Sequence, residues 1–181
     1  MRPLPPDTMG HMVRLEHVLD TWKAVRHDTV AAVEEFPADQ FAYRPSADVM
    51  TFGEIAFHIL NAGHGLTGLL LAGEETFTGP DFRERVTRHF PDVPPSVRPS
   101  ELAAALRDSV EKRAAELAAQ PAEFYAHEVT RMDGVRLTRL EFLQSIKEHE
   151  LTHRAQLFAY MRLKGLVPST TRRRQAKQAG K

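Results

Sequence analysis

Cysteine is absent from the 181 residues of this chain, and its absence removes several kinds of chemistry at once. Without cysteine the chain has no disulfide, no thiol nucleophile and no thiolate metal site. Any side chain that ligates a metal must therefore be a histidine, an aspartate or a glutamate.

Long apolar runs are also missing. The sequence contains no apolar run of the length that spans a membrane, so no membrane contact is expected. Residues 1–11 are polar and rich in proline, and they lack the apolar core of a secretory signal. We therefore expect a flexible lead-in and a cytoplasmic location.

Acidic residues are absent from one end of the chain, although the whole chain carries 24 basic and 24 acidic residues. All acids lie before residue 164, and the last segment is rich in arginine and lysine. Residues 169–181 contain almost nothing to bury, which predicts a basic, disordered tail. This tail has no aromatic residue for base stacking, so binding to nucleic acid is not expected.

Four segments place apolar residues at the spacing of an amphipathic helix. They are residues 12–36, the segment from residue 51, the segment from residue 100 to before Pro121, and residues 137–165. The pairs Thr51/Glu54 and Thr138/Glu141 have the spacing of a capping box, which marks the starts of the second and fourth helices.

The connections complete the predicted fold. The proline-rich segment 73–99 is long for a bundle and indicates a crossover, with room for a helical turn around residues 81–89. Residues 127–137 alternate around Asp133-Gly134, which predicts a β-hairpin. The expected fold class is all-α: one four-helix bundle over residues 12–168, with a long crossover between helices two and three and a small β-hairpin before helix four.

Two histidines, His149 and His153, interrupt the apolar stripe of the fourth helix in phase. Residues four apart lie on one helix face, so both rings point into the core, where each needs a polar partner. His58 lies on the buried stripe of the second helix, whereas its neighbour His64 is expected to be exposed. A single buried histidine is commonly a core residue with one hydrogen bond. A shared divalent ion, zinc or nickel, would give all three imidazole rings a polar partner.

Three imidazoles leave a fourth position open, which is typical of catalytic rather than closed structural zinc sites. Residues 149–153 also match the H-E-x-x-H pattern of zinc proteases. The best-known families of that kind supply a third ligand downstream, and no acid or histidine follows His153 in this chain. A protease is therefore a minor alternative.

Glu150 is the candidate general base, because it lies about 100° around the helix from His149. A solvated or dimer-interface glutamate is an equal alternative. Glu54 could orient His58 but is better explained as the acid of the capping box. Asn61 and Gln156, each three residues after a histidine of the triad, could line a pocket that binds a cofactor or substrate.

The glycines of residues 63–68 fit the G-x-G-x-x-G pattern of dinucleotide-binding proteins. That pattern requires a strand before it and a helix that begins at it. Here it lies inside a helix, so we interpret these glycines as sites of close helix packing.

With these motifs the sequence resembles the DinB/YfiT-like family of metal-dependent enzymes. The resemblance rests on FAYRPSADVMTFGEIAFH at residues 41–58, and on the H-x-x-x-H-R-x-Q pattern from His149 to Gln156, followed by Leu163-Lys164-Gly165. It covers residues 12–168, and the order and spacing of the motifs are more specific than each motif alone. It implies a four-helix bundle, a three-histidine divalent metal site and a homodimer.

Members of that family include enzymes that use low-molecular-weight thiols, and the family takes its name from expression induced by DNA damage. The resemblance therefore implies activation of an external thiol for transfer to a small electrophile. Two alternatives stay open: a metal-dependent hydrolase with Glu150 as base, and a non-catalytic stress-response protein whose metal secures the fold.

Overall fold

A computed structural model describes residues 13–180, and the lead-in expected at residues 1–11 lies outside them. This part of the chain is mostly helical. Its α-helices and strands, in order, are α1 (Leu15–Glu35), α2 (Phe52–Leu71), α3 (Phe82–Thr87), α4 (Pro99–Ala118), α5 (Ala122–Ala126), β1 (Glu128–Thr130), β2 (Arg136–Thr138), α6 (Arg139–Leu163) and α7 (Ser169–Ala179).

The long helices α1, α2, α4 and α6 form a four-helix bundle, which confirms the predicted fold class. Helix α1 packs against α4 and α6, and α2 packs against the same two helices. Helices α2 and α6 are therefore neighbours although about 70 residues separate their closest ends. This contact allows side chains from distant parts of the sequence to share one site.

Both predicted capping boxes are present. The Thr51 hydroxyl accepts a hydrogen bond from the Glu54 amide, and the Glu54 carboxylate accepts one from the Thr51 amide at 2.7 Å. Thr138 and Glu141 make the equivalent pair at the start of α6. These reciprocal bonds satisfy amides that a helix start leaves without partners, so they fix where α2 and α6 begin.

The apolar faces of the bundle meet in two clusters of buried side chains. One surrounds Trp22 and Leu143, and the other surrounds Phe52 and Leu157. The second cluster includes the stacked rings of Phe36 and Phe52, whose centroids are 3.7 Å apart. All four long helices contribute residues to both clusters, so their apolar stripes point into the bundle.

The crossover between α2 and α4 contains the short helix α3, as predicted, and α3 packs on α2. A Cβ atom at Gly65 would lie 2.8 Å from the ring of Phe90, and one at Gly68 would lie 2.7 Å from the Cβ of His89. Only glycine permits this approach. Both glycines lie inside α2 and serve close packing, as the sequence indicated.

The predicted hairpin is also present. Strand β1 pairs antiparallel with β2, and Gly134 in the turn has a φ of +83°, a conformation that glycine adopts without strain. A bridge between Thr76 and Thr130 attaches the hairpin to the crossover. The short helix α5 before the hairpin was not anticipated from the sequence.

The end of the chain differs from the disordered tail expected at residues 169–181, because residues 169–179 form the helix α7. Arg172 pairs with Glu35 at 2.5 Å, and Arg173 pairs with Asp28 at 2.6 Å, so α7 contacts α1. Apolar content correctly indicated that little is buried here. Ion pairs with α1 are the contacts that composition alone did not reveal.

No helix between residues 13 and 180 is both long enough and apolar enough to cross a bilayer.

Candidate metal centre

His58, His149 and His153 come together between α2 and α6, as the sequence predicted. The Nε2 atom of His149 lies 3.2 Å from that of His58 and 3.1 Å from that of His153. Each residue offers one ring nitrogen, and these three atoms all lie within 4.8 Å of one another. We call these three residues the histidine cluster.

The spacing of the histidine cluster fits a divalent transition metal. Zn–N bonds of 2.0–2.1 Å in a tetrahedral site place neighbouring nitrogens about 3.3 Å apart. The separations of 3.1 and 3.2 Å from His149 are close to that value. The donor set, three imidazoles without a thiolate, suits zinc, nickel, copper or iron.

Burial keeps two of the rings neutral at pH 7, which is the form that ligates a metal. Removal from water lowers the pKa of His58, and the neighbouring His153 lowers it further. Burial is also the main cause that lowers the pKa of His149 to about 4, followed by His153 and His58, whereas Glu150 acts in the opposite direction. Their ring lone pairs are therefore free at neutral pH.

Gln156, a predicted pocket residue, is exposed and contacts His153 of the histidine cluster. Its side-chain oxygen lies 2.8 Å from Nδ1 of His153. When Nδ1 donates its proton to that oxygen, Nε2 of the same ring carries the free lone pair and faces the other two histidines. In that tautomer the hydrogen bond from Nδ1 to Gln156 orients the ring of His153 toward the other two histidines.

Glu150 lies away from the histidine cluster, inside the bundle. It is buried and accepts hydrogen bonds from Arg26 at 2.6 and 2.9 Å, from Trp22 at 2.8 Å and from Thr29 at 3.1 Å. The turn of about 100° from His149 directs Glu150 toward α1. This geometry disagrees with the general-base role and with the solvated or interface position considered for Glu150.

A cleft of about 750 Å³ opens beside His58 and His149. Helix α2 supplies one wall, α6 a second, and the crossover with the tip of the hairpin a third. The side chains and backbone that line it are those of Gly53, Glu54, Phe57, His58, Asn61, Ala62, Leu66, Phe82, Arg83, Val86, Thr87, Phe90, Pro95, Arg131, Met132, Phe142, Ser145, Ile146 and His149. We refer to it as the cleft.

Asn61 lies in the cleft wall, one turn after His58, as expected for a pocket residue. Its amide oxygen is buried and has no hydrogen-bond partner within residues 13–180. Glu54 also borders the cleft, but its carboxylate is held by the amide of Thr51. The preference for Glu54 as a capping residue is therefore confirmed.

His64, which was expected to be exposed, is instead buried on the other side of α2. Its Nδ1 atom lies 2.9 Å from the hydroxyl of Ser109, and the guanidinium of Arg113 donates to its backbone oxygen. Burial lowers the pKa of His64 to about 4, with the charge of Arg113 as the next cause. The second half of α2 is covered by α3 and α4 together, so it has no exposed face for His64 to occupy.

The third wall of the cleft was not predicted from the sequence. Phe82, Arg83 and Thr87 come from the crossover, and Arg131 and Met132 come from the hairpin. The only sequence signal for this wall was the helical turn expected around residues 81–89. Where that turn packs depends on the glycines of α2, which permit its close approach.

Comparisons with known proteins agree with this architecture. The DinB-like protein YjoA of Bacillus subtilis is 23% identical, with a TM-score of 0.64, over 82% of this chain and 92% of that protein. YfiT from Bacillus subtilis, described as a probable metal-dependent hydrolase with an unusual four-helix bundle topology, is 15% identical, with a TM-score of 0.66, over 92% and 94%.

The mycothiol-dependent maleylpyruvate isomerase is 17% identical, with a TM-score of 0.60, and the match covers 80% of this chain and 61% of that one. Identities this low show a common fold and no more. None of the curated proteins matches the sequence significantly. A family model for the DinB family matches residues 9–179, nearly the whole chain. The chain therefore belongs to the DinB family.

Proposed function

We propose that this protein is a metal-dependent enzyme in which His58, His149 and His153 hold one divalent ion beside the cleft. The convergence of three ring nitrogens beside a cleft is the observation that carries the proposal. Three protein ligands leave a further coordination position. A metal held there supplies positive charge that lowers the pKa of a bound thiol or water.

The chemistry that we favour is transfer of an external low-molecular-weight thiol to a small electrophile. The chain has no cysteine, so the sulfur must come from a second molecule. In such a transfer the sulfur forms a bond to carbon, the leaving group departs with its electron pair, and the thiol proton goes to solvent. The protein's own task is to bind both partners in the cleft and to orient them, because bringing reactants together lowers the barrier without a general base.

The orientation of Glu150 favours thiol transfer over hydrolysis. A water route needs a base within hydrogen-bonding reach of the water. Among the cleft-lining residues the one carboxylate is Glu54, which is occupied at the start of α2. The name of YfiT keeps hydrolysis as a second candidate, but its base would have to be a group other than Glu150.

The first test measures metal and does not depend on the substrate. We expect about one divalent ion per chain in the purified protein and a large loss in each of the variants His58→Ala, His149→Ala and His153→Ala, by elemental analysis. His89→Ala, outside the histidine cluster, is the control. Undiminished metal in all three variants would contradict the proposal.

The second test measures turnover of chlorodinitrobenzene with and without cellular thiols such as glutathione and cysteine, in the metal-loaded protein. We expect thiol-dependent release of chloride that is lost in His149→Ala. Turnover that needs no thiol would favour the hydrolase. Metal binding without turnover of any electrophile would favour the non-catalytic alternative. The homodimer implied by the sequence stays a prediction, which gel filtration with light scattering would test.

A further inference from the structure

The wall of the cleft that the crossover supplies carries an arginine whose guanidinium has no ionic partner within residues 13–180. Arg83 is exposed, in α3, and borders the cleft. The neighbouring acids are already paired, since Asp81 lies 3.1 Å from Arg85 and Glu84 lies 3.2 Å from Arg88. Within residues 13–180, Arg83 has neither an ion pair nor a hydrogen bond from its guanidinium.

The other charged side chains that line the cleft, Arg131 and Glu54, have hydrogen-bond partners within the protein. Arg131 donates two hydrogen bonds to the carboxylate of Asp133, at 3.0 and 2.6 Å, and this pairing lowers the pKa of Asp133 to about 2. Glu54 is held at the start of α2. Among the described residues that line the cleft, Arg83 is therefore the cationic side chain without an ionic partner.

Much of the remaining cleft surface is apolar and rich in aromatic rings. Phe57, Phe82, Phe90 and Phe142 line it, together with Leu66 and Ile146. A pocket of this kind binds a flat apolar body, and a few polar groups at its edge determine the orientation. Asn61, one turn after His58, adds an amide oxygen that has no hydrogen-bond partner within residues 13–180.

We propose that the cleft takes an amphipathic anion: a small molecule with an apolar, ring-containing body and a carboxylate or similar acidic group that pairs with Arg83. Because His58 and His149 line the same cleft, a molecule bound there would also lie beside the histidine cluster. The inference deepens the proposed function, on which it rests, by naming the class of substrate. A guanidinium suits this role because it binds carboxylates through two parallel hydrogen bonds.

Two fluorescent probes that share a body and differ in charge provide the test. Pyrenebutyrate carries a carboxylate, and pyrenebutanol carries a neutral hydroxyl on the same chain and rings. Their affinities would be measured for the wild type and for Arg83→Gln, which keeps part of the stem and removes the charge. Arg88→Gln is the matched control, because Arg88 lies on the same segment but does not line the cleft.

We expect the wild type to bind pyrenebutyrate about three- to tenfold more tightly than pyrenebutanol, a modest factor because water screens the exposed guanidinium. Arg83→Gln should lose that preference and leave the affinity for pyrenebutanol unchanged, whereas Arg88→Gln should resemble the wild type. In the wild type the preference should shrink in high salt. Ala62→Phe, which fills the cleft, should weaken both probes.

Several results would overturn the proposal. They are an unchanged preference in Arg83→Gln, an equal loss in Arg83→Gln and Arg88→Gln, an affinity insensitive to Ala62→Phe, and no binding of either probe. Thermal melting and metal content of each variant show whether it folds. Should Arg83→Gln melt early, Arg83→Lys must retain the preference for the anion.

The test separates this inference from the proposed function, because the probes are measured both with zinc bound and after chelation. If the protein takes up no zinc but still prefers the anionic probe, the anion site is supported and the metal site is contradicted. Stoichiometric zinc without any charge preference would do the reverse.

Discussion

Glu150 shows how strongly one side chain's surroundings decide its role. It lies between two members of the histidine cluster in sequence, yet in space it neutralises the buried guanidinium of Arg26. Both side chains are almost entirely removed from water, with 1% and 3% of their surfaces exposed. The pair joins α1 to α6, and it holds α6 in the rotation that turns His149 and His153 toward α2.

Replacement of Glu150 by glutamine should therefore damage stability rather than chemistry. The substitution leaves the charge of Arg26 buried without a counter-charge, which costs about 3–5 kcal/mol in the free energy of unfolding. Urea denaturation would measure it. Glu111→Gln removes an exposed ion pair with Lys23 and should cost less than about 1 kcal/mol.

Activity of the same variant separates the two mechanisms. Thiol transfer per folded, metal-loaded molecule should stay close to that of the wild type, because Glu150 does not reach the cleft. A general base would instead lose about a hundred- to ten-thousandfold in rate. A fall of that size without a change in stability would show that Glu150 reaches the reacting atoms.

Gln156 should affect metal affinity without providing a ligand. Removing its hydrogen bond in Gln156→Ala frees the ring of His153 to rotate and to exchange tautomers, so zinc should bind about 10- to 100-fold more weakly. Competition with a chromophoric chelator would measure the affinity. Gln144→Ala, which breaks a bond to Glu148 on the same helix, should leave it unchanged. Equal affinities in wild type and Gln156→Ala would refute the orienting role.

The helices themselves were predictable because local chemistry determines them. Capping boxes at Thr51 and Thr138 mark the starts of α2 and α6, and apolar periodicity gives their buried faces. The two histidines of α6 could be paired from spacing alone. Local patterns do not predict the rotation of α6 relative to α1, which turns Glu150 inward. They also do not predict the partner of His64, which lies 45 residues away on α4.

Helix α7 is the element that composition described least well, because its contacts are electrostatic. Deleting residues 169–181 removes the pairs of Arg172 with Glu35 and Arg173 with Asp28. Such pairs contribute at most about 1 kcal/mol each, so we expect a loss of about 1–2 kcal/mol. Asp28 retains Arg154 at 3.3 Å. Metal content should not change, because α7 packs on α1.

Single substitutions would refine that result. Arg173→Ala should reproduce part of the loss, and Arg174→Ala, at an exposed position beside it, should have no effect on the melting temperature. If the truncated protein melts at the same temperature as the full chain, α7 adds nothing to stability. The expectation that residues 169–181 contribute nothing to the free energy of unfolding would then be correct.

At the scale of the whole molecule, buried histidines couple stability to pH. The pKa of His64 is about 4 in the folded protein, whereas a histidine in an unfolded chain has a pKa near its ordinary value of about 6.5. Between these values the unfolded chain binds a proton that the folded protein excludes. Stability is therefore complete above pH 6.5 and falls as the pH decreases toward 4.

The metal-free protein should lose roughly 1–2 kcal/mol from His64 between pH 6.5 and 5, a part of the full shift because the ring keeps some contact with solvent. His64→Gln should flatten the profile by that amount. His149 contributes in the same direction in both proteins, so the difference between them isolates His64. His17→Gln, at an exposed position of α1, is the control. Parallel profiles for wild type and His64→Gln would contradict the prediction.

The contact between α2 and α6 has a consequence for the order in which the molecule assembles. His149 and His153 can act as a bidentate ligand as soon as α6 forms. His58 lies 91 residues earlier than His149 and joins them only when α2 docks on α6. Closing so long a loop belongs to the slower events of folding. An ion bound to α6 in the nascent chain would therefore gain its third ligand only when α2 docks. Because the folded protein would then bind the ion more tightly than the unfolded chain does, the ion would stabilise the folded bundle.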